Sequence, residues 1–285
     1  MYRIFDGAFN ITNVCNLTCN GCESFNNFNF RNHFRFDDYK HLYKRWSEQV
    51  SINIVTIHGG EPFTNPDIVN WARGLKELWP NAVKHYVSSN GSLLKNHIDT
   101  AKQLLDLGWY IDISVHDRAL YNDIDPAIKT ILEDRPYRVV QNGEDTKLVG
   151  HNNNQTYFNI YETVDFISSA RAGVDKGKWQ FHHSDIKASH KVCLGGEPPC
   201  THFNKGLMYQ CHLTSVSADL IQQFPLEQRA VELLQQYKPA HPDDNLTDFF
   251  QTLHKPMPQC ALCPESSKTH CIAPLAKKKE SAWIY

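Results

Sequence analysis

Three cysteines near the start of the sequence form a compact group of potential metal ligands. Cys15, Cys19 and Cys22 have the spacing C-x3-C-x2-C. A structural zinc ion takes four protein ligands, whereas a cubane iron–sulfur cluster takes one thiolate for each of its irons. Three cysteines would therefore bind three irons of a cubane and leave the fourth iron open to a small molecule. The alternative is a zinc site completed by His33, or a set of buried cysteines without a metal.

The other cysteines occur in two later groups, which indicates ligands rather than scattered core residues. They are Cys193, Cys200 and Cys211, then Cys260, Cys263 and Cys271. The first residues lack the apolar segment of a signal peptide, and no apolar run is long enough to span a membrane. We therefore expect a cytoplasmic protein, in which cysteines bind metals or react more often than they form disulfides.

The composition is that of a globular protein with nearly balanced charge. The 285 residues are 41% hydrophobic, which is enough for one large domain, with or without an appendage. Lysine and arginine number 29, against 31 aspartate and glutamate residues. Proteins that bind a nucleic-acid backbone use basic stripes that displace its counterions. The charge pattern therefore gives no support to a nucleic-acid substrate.

Short β-rich runs alternate with amphipathic helices from residue 9 to about 115, a pattern typical of a parallel sheet built from βα units. The predicted strands are Phe9–Val14, Ile52–Ile57, Val83–Ser88, Trp109–Val115, Tyr137–Val140, Thr156–Tyr161 and, as the sixth barrel strand, Trp179–His182. Asp37 and Ser92 are expected to cap the first and third helices. We predict an α/β fold, a partial (β/α)6 TIM-like barrel over residues 1–188 with a small C-terminal unit over residues 189–285. The active face would lie at the carboxyl ends of the strands.

A second motif, Gly59-Gly60-Glu61-Pro62, falls at this face directly after the second predicted strand. Together with the cysteine loop after the first strand, it resembles the radical S-adenosylmethionine (radical SAM) superfamily. In that family, the amino and carboxylate groups of SAM bind the open iron of a [4Fe-4S] cluster. An electron from the reduced cluster breaks the bond between sulfur and the 5′ carbon, and the resulting 5′-deoxyadenosyl radical removes a hydrogen atom from the substrate.

The resemblance implies that Gly59–Pro62 bind the methionine part of SAM. The two glycines would let the backbone approach the ammonium group, and the Glu61 carboxylate would accept hydrogen bonds from it. Asn90, after the third strand, and Ser114, on the fourth, are implied to contact the methionine or the ribose.

The sequence departs from the family at the residue before the third cysteine, which is usually aromatic and packs near the adenine. Here that residue is Gly21, and Phe25 or another ring is the candidate to replace it. Gly-Gly-Glu-Pro also occurs at Gly195–Pro198. No β-rich run precedes this second copy, so we interpret it as a turn.

The later cysteines resemble the twitch and SPASM extensions of some radical SAM enzymes, which hold auxiliary clusters. The resemblance implies one auxiliary [4Fe-4S] cluster bound by Cys211, Cys260 and Cys263, with either Cys193 or Cys200 as the fourth ligand. A zinc site with the same cysteines is the alternative, since CxxC spacing also suits zinc.

A hairpin is predicted over Thr201–Tyr209, with Lys205 and Gly206 in its turn. It would bring Cys200 and Cys211 together at its base. Cys271 is interpreted as a substitute ligand, a spare thiol or, by default, a buried hydrophobic residue.

The resemblance implies oxidation or bond formation on a peptide or a small metabolite, with a reductant such as flavodoxin or ferredoxin. His116, Asp117 and His182 lie at predicted strand ends and are candidate catalytic or substrate-binding groups, as are His183 and Asp185. A single histidine is nevertheless more often structural. A different class of function is a non-catalytic iron–sulfur electron carrier or sensor, which would hold clusters without cleaving SAM.

Overall fold

The computed structural model describes residues 1–19, 22, 24–26, 30, 32–151, 154–163, 165–167, 171–193, 200–265 and 269–271. The strands are β1 (Tyr2–Thr12), β2 (Val50–Gly59), β3 (Lys84–Ser89), β4 (Tyr110–Val115), β5 (Tyr137–Asn142), β6 (Asp145–Gly150), β7 (Thr156–Glu162), β8 (Asp165–Ile167), β9 (Arg171–Asp175), β10 (Lys178–Phe181), β11 (Cys200–Asn204), β12 (Leu207–Tyr209) and β13 (Thr269–Cys271). The helices are α1 (Phe36–Gln49), α2 (Ile68–Leu78), α3 (Ile98–Asp106), α4 (Tyr121–Ile131), α5 (Ile186–Val192), α6 (His212–Gln223), α7 (Gln228–Gln236) and α8 (Thr247–Thr252). None of the described helices has both the length and the apolar character that crossing a membrane requires.

One nine-stranded sheet, in the order β12-β11-β1-β2-β3-β4-β7-β6-β5, organises the molecule. All neighbouring strands from β11 through β1, β2, β3 and β4 to β7 are parallel, which makes six parallel strands. The edge strands β12, β6 and β5 are antiparallel to their neighbours. Helices α1 to α4 lie in the connections between the parallel strands, because a parallel pair needs a crossover. The predicted α/β fold with a partial parallel barrel is confirmed.

The sixth parallel strand is β11, and not the predicted strand Trp179–His182. That segment forms β10, which pairs with β9 in a separate antiparallel sheet. In β11, Phe203 lies opposite Phe9 of β1, and the two rings stack with centroids 4.6 Å apart. The Phe203 side chain is fully buried. The pairing of β11 with β1 joins residues that are far apart in the chain, and such a pairing produces no local sequence pattern. The sequence therefore predicted the hairpin but not its pairing with the barrel sheet.

The predicted hairpin is present as β11 and β12. Lys205 and Gly206 form its turn with φ values of 51° and 79°, the left-handed values that a two-residue turn of this kind requires. The turn packs on α1, where the Tyr43 hydroxyl accepts the Gly206 N–H at 3.1 Å. The Trp46 indole donates to the Gly206 carbonyl at 2.9 Å. The hairpin thus joins the C-terminal part of the chain to the barrel sheet.

Two predicted helix caps differ from the structure. Helix α1 begins at Phe36, ahead of Asp37, and the Asp67 carboxylate beside α2 accepts the Phe36 N–H at 2.7 Å. Helix α3 begins at Ile98, and Ser92 instead donates to the side chain of Asn90. At α1 the partner is a side chain distant in sequence, whereas α3 begins without a side-chain cap and Ser92 bonds within its own loop.

The barrel strands alternate between an apolar outer face and a polar inner face. On β4, Ile111 and Ile113 are buried, whereas Tyr110, Asp112 and Ser114 are partly exposed. The buried set belongs to the main hydrophobic core, together with apolar residues of α1 to α4. The other set faces the inside of the barrel, because successive strand residues point to opposite faces. The inner face is therefore polar and accessible.

A second hydrophobic core joins the segment after the first cysteines to the C-terminal helices. Its buried members are Phe25, Phe30, Trp179, Phe181, Leu213, Val216, Leu220, Leu226, Ala230, Leu234 and Leu262. Phe25, the candidate ring for the adenine, is only 1% exposed in this core. A polar link supports the same junction: Asn13, just before Cys15, donates to Asp219 on α6 at 3.0 Å. The cysteine loop is thus anchored on both the barrel and the C-terminal part of the chain.

Candidate active site

The first three cysteines lie in the loop that follows β1. Cys15 and Cys19 are 8% and 6% exposed, and Cys22 is half-buried. Burial raises the pKa of Cys19, and the nearby thiols of Cys22 and Cys15 raise it further. Three thiols that converge in a sheltered loop fit the donor set of an iron–sulfur cluster. His33, the alternative zinc ligand, places its Nδ1 2.9 Å from the Thr12 hydroxyl.

Gly59 and Gly60 hold the end of β2 against the start of the cysteine loop. The Gly60 N–H donates to the Thr12 carbonyl at 2.8 Å, and the Glu61 N–H donates to the Val14 carbonyl at 2.9 Å. A Cβ on Gly59 would overlap the Thr12 carbonyl oxygen, and a Cβ on Gly60 would overlap the Val14 carbonyl oxygen. The two glycines are therefore required for the close approach of two backbone segments.

The Glu61 side chain links the ends of β2 and β3. Its Oε1 accepts the Phe63 N–H at 3.1 Å and the Ser89 hydroxyl at 2.9 Å, and its Oε2 accepts the Asn90 N–H at 2.8 Å. The side chain has no exposed surface, and burial raises its pKa to about 7 despite these bonds. This differs from the expected carboxylate presented to a ligand. In the structure Glu61 orders the backbone around the site.

Asn90 connects the end of β3 to the cysteine loop. Its Nδ2 donates to Asn16 Oδ1 at 3.1 Å and lies 4.0 Å from Cys15 Sγ. Asn16 in turn donates to the Ser92 hydroxyl at 2.8 Å. A second asparagine of the loop, Asn26, is 3% exposed and donates to the Gly59 carbonyl at 3.0 Å. Sequence reasoning missed Asn16 and Asn26, although asparagines within a ligand loop are a usable signal because they bond backbone groups.

Ser114 and the residues after it lie at the carboxyl end of β4. The Ser114 hydroxyl donates to the Thr163 hydroxyl at 2.7 Å, and His116 Nδ1 is 3.3 Å from the Thr163 carbonyl oxygen. Asp117 caps the following 3-10 turn by accepting the Ala119 N–H at 2.9 Å. Ser114 and His116 thus border the barrel mouth, while Asp117 has a structural role.

His182, His183 and Asp185 follow β10, outside the main sheet. The His182 carbonyl accepts from Arg229 at 2.9 Å, and His183 is an exposed ring 3.8 Å from a Glu227 oxygen. Asp185 caps α5. The barrel sheet therefore does not bring these three residues to the ends of β1 to β4.

Acidic and phenolic groups line the barrel interior below its mouth. Asp112 accepts the Asn159 amide at 2.7 Å and the Tyr161 hydroxyl at 3.1 Å. Asp6 accepts the Thr56 hydroxyl at 2.9 Å, and burial raises the pKa of Asp6 to about 6. These groups give the inner face several hydrogen-bonding positions.

Four of the later cysteines line one cavity of about 60 Å³. Cys193 ends α5, Cys211 precedes α6, and Cys260 and Cys263 lie in and after a 3-10 turn at Pro258–Leu262. Burial raises the pKa of Cys211 to about 11, and the neighbouring Cys193 and Cys260 thiols add to this effect. Short helical ends thus bring together thiols from three distant parts of the sequence.

Cys200 opens β11, opposite Asp6 of β1. The last paired residues of the hairpin are His202 and Tyr209. Cys200 and Cys211 each lie two residues beyond this pair, as expected for the base of the hairpin.

The backbone of Cys271 is in β13, opposite Asp165. Gly21 and the second Gly-Gly-Glu-Pro, at Gly195–Pro198, lie outside the described residues.

Comparison with known proteins gives a family match for part of the chain. The model for the Radical SAM superfamily matches residues 9–141. No curated protein sequence matches the chain. Among solved structures, BtrN in complex with AdoMet and 2-DOIA has a TM-score of 0.48 and 13% identity, with 100% of each chain covered. Streptococcus suis SuiB bound to S-adenosylmethionine has a TM-score of 0.40 and 13% identity, with 88% of this chain and 67% of SuiB covered.

A third solved structure, anSMEcpe with bound AdoMet, has a TM-score of 0.38 and 15% identity, with 56% of this chain and 44% of that chain covered. The matched residues run from the last part of β1 past β4, and so include both the cysteine loop and the Gly-Gly-Glu-Pro segment. Residues 9–141 of the chain are therefore similar to the radical SAM superfamily.

Proposed function

We infer that the protein is an enzyme that reductively cleaves SAM and uses the 5′-deoxyadenosyl radical to remove hydrogen from a polar substrate. The observation that carries this inference is the bonding between the two motifs. Gly60 and Glu61 bond the backbone of the cysteine loop, and the Glu61 carboxylate fixes the Asn90 backbone beside it. A general electron carrier has no need of such a second ligand site beside its cluster.

The residues at the mouth would have distinct tasks. A bound [4Fe-4S] cluster supplies the electron, and Cys15, Cys19 and Cys22 would hold it. Gly59–Pro62 would hold the methionine part of SAM, with Glu61 acting through the backbone that it orders. Asn90 and Ser114 would contact the methionine or ribose from the ends of β3 and β4.

A second [4Fe-4S] cluster would occupy the cavity shared by Cys193, Cys211, Cys260 and Cys263. Four thiols around one cavity satisfy the full thiolate requirement of a cubane. The sequence left the fourth ligand open between Cys193 and Cys200. We propose Cys193, because its side chain lines the cavity together with the other three cysteines. Such a cluster could accept the electron left on an oxidised substrate.

Changing Cys193 to alanine should lower the iron content of the reconstituted protein by about four irons per chain, whereas Cys200→Ala should leave it unchanged. Iron and sulfide analysis after anaerobic reconstitution makes the comparison. Equal losses in both variants, or loss only with Cys200→Ala, would contradict the assignment. Zinc at this cavity would give no iron loss in either variant.

The substrate is proposed to be a peptide or a small metabolite with polar groups, because the inner face presents Asp6, Tyr110 and Asp112. The reaction would be an oxidation or a bond formation in the cytoplasm, with flavodoxin or ferredoxin as the reductant. His116 directly follows β4, so the barrel sheet places this candidate histidine at the mouth.

The test of the proposed activity is anaerobic incubation of the reconstituted protein with SAM and dithionite. We expect 5′-deoxyadenosine and methionine to form above the level of protein-free controls, as measured by chromatography with mass detection. A carrier or sensor would show reducible clusters by electron paramagnetic resonance without either product. That outcome would overturn the enzymatic assignment.

A further inference from the structure

Three histidines from distant parts of the sequence meet on the inner side of the barrel sheet. His58 is on β2, directly before the Gly-Gly-Glu-Pro segment, and His202 is on β11. His212 is the first residue of α6, directly after Cys211. The parallel order β11-β1-β2 places β1 between the first two, opposite His202 at Ala8 and opposite His58 at Asn10. Helix α6 then brings the third ring over them.

The three rings form a closed triangle. Their centroids are 5.3 Å apart for His58 and His202, 5.4 Å for His58 and His212, and 4.8 Å for His202 and His212. One ring nitrogen from each lies within 4.8 Å of the other two. Side chains that converge on one point in this way have the arrangement of ligands around a single ion.

The separation of two of these nitrogens matches tetrahedral coordination. His202 Nδ1 and His212 Nδ1 are 3.3 Å apart. Two nitrogens bound to one tetrahedral zinc at 2.0–2.1 Å are themselves about 3.3–3.4 Å apart. The two nitrogens are also within hydrogen-bond distance of each other, with donor and acceptor set by the tautomer.

One ring nitrogen of the cluster has unmet bonding capacity that an ion would satisfy. His58 Nε2 is buried and lacks a hydrogen-bond partner among the described residues. His212 Nε2 lacks one too, but His212 offers a single ligand atom, and the 3.3 Å separation assigns that role to its Nδ1. A buried polar atom without a partner is unfavourable, so His58 Nε2 is the observation that favours a bound ion. The backbone of Ala8 hydrogen-bonds the His58 ring, the kind of outer contact that orients a metal-binding imidazole.

We propose that His58, His202 and His212 bind one divalent transition-metal ion of borderline softness, such as Zn²⁺, in a three-histidine site with an open fourth position. Neutral imidazole suits zinc, iron, copper and nickel, whereas magnesium and calcium prefer oxygen ligands. The site contains no thiolate and is separate from both cysteine groups. It goes beyond the proposed function, because neither SAM cleavage nor an auxiliary cluster requires it.

The position of this ion would be informative for substrate binding. His58 directly precedes the segment proposed to hold SAM, and His212 directly follows a proposed auxiliary-cluster ligand. An ion with an open position between these two regions could bind an oxygen or nitrogen atom of a substrate. Three protein ligands with one open position is also the arrangement found at catalytic zinc sites.

The test uses the full chain with its iron–sulfur clusters reconstituted anaerobically, so that iron occupies the cysteine sites. The protein is then equilibrated with Zn²⁺ and desalted, and zinc and iron are measured together. We expect about one retained zinc per chain. X-ray absorption at the zinc edge should show nitrogen or oxygen neighbours at about 2.0–2.1 Å with imidazole scattering, and no sulfur at about 2.3 Å.

His202→Gln is the test variant, and His41→Gln, on an exposed position of α1, is the matched control. His202→Gln should weaken zinc binding by more than the 10–100-fold that loss of an outer contact causes, without changing the iron content. His41→Gln should bind as the wild type does. Sulfur neighbours, no retained zinc, or equal binding by wild type and His202→Gln would overturn the proposal. If His202→Gln also loses iron, the absorption spectrum of the wild type decides, since it needs no variant.

Discussion

Replacement of Cys15, Cys19 and Cys22 by alanine is expected to reduce 5′-deoxyadenosine formation to the level of a protein-free control. These thiols are the only described cysteines in the loop after β1. Without them no iron is held beside the Gly-Gly-Glu-Pro segment, and SAM has neither its binding iron nor its electron source. The same variant should lose about four of about eight irons per chain, because each cubane contains four.

The retained irons provide the internal control for this experiment. They lie in the separate cavity of Cys193, Cys211, Cys260 and Cys263, so a folded variant should keep them and their absorption band. Continued formation of 5′-deoxyadenosine by the triple variant would exclude the proposed mechanism. A fall from about four irons to none would instead mean that the later cysteines hold no cluster.

Substitution of Gly60 by alanine is expected to have the second largest effect. The added Cβ would overlap the backbone carbonyl of Val14, next to Cys15. A backbone group cannot move aside by changing rotamer, so the loop itself must shift. Overpacking of this kind typically costs about 1–3 kcal/mol. We expect a lower unfolding midpoint, less iron at the first site and a loss of SAM cleavage greater than the loss of iron.

Gly173→Ala is the matched control, since a Cβ at this position of β9 meets no atom of the described residues within 4 Å and its φ is not positive. It should change neither the iron content nor the unfolding midpoint measurably. If Gly60→Ala behaved like Gly173→Ala in all three measurements, the close contact between β2 and the cysteine loop would not be needed for activity.

The sequence predicted those parts of the fold that depend on local patterns. Strands β2, β3 and β4 were found because short β-rich runs that alternate with amphipathic helices mark each βα unit. The pairing of β11 with β1 was missed because nothing within residues 200–204 records the strand on which they pack. The hairpin turn at Lys205 and Gly206 was found, since its signal is local.

The same distinction applies to the candidate site. The cysteine spacing and the Gly-Gly-Glu-Pro motif are contiguous in sequence, so their chemistry could be predicted. The complete burial of Glu61 depends on Ser89 and on Asn90, at the end of the next strand, so it could not be predicted from the motif alone. The histidine triangle requires the positions of β2, β11 and α6 at once, so no single stretch of sequence could reveal it.

The pairing of β1 with β11 also has a consequence for biosynthesis. About 190 residues separate the end of β1 from the start of β11. At about 5–20 residues per second, a ribosome needs roughly 10–40 s to make that stretch. Until then one edge of β1 presents its N–H and C=O groups to other chains, which favours aggregation. We therefore expect the cysteine loop that follows β1 to reach its final position only after most of the chain has been synthesised, and cluster insertion to be a late event.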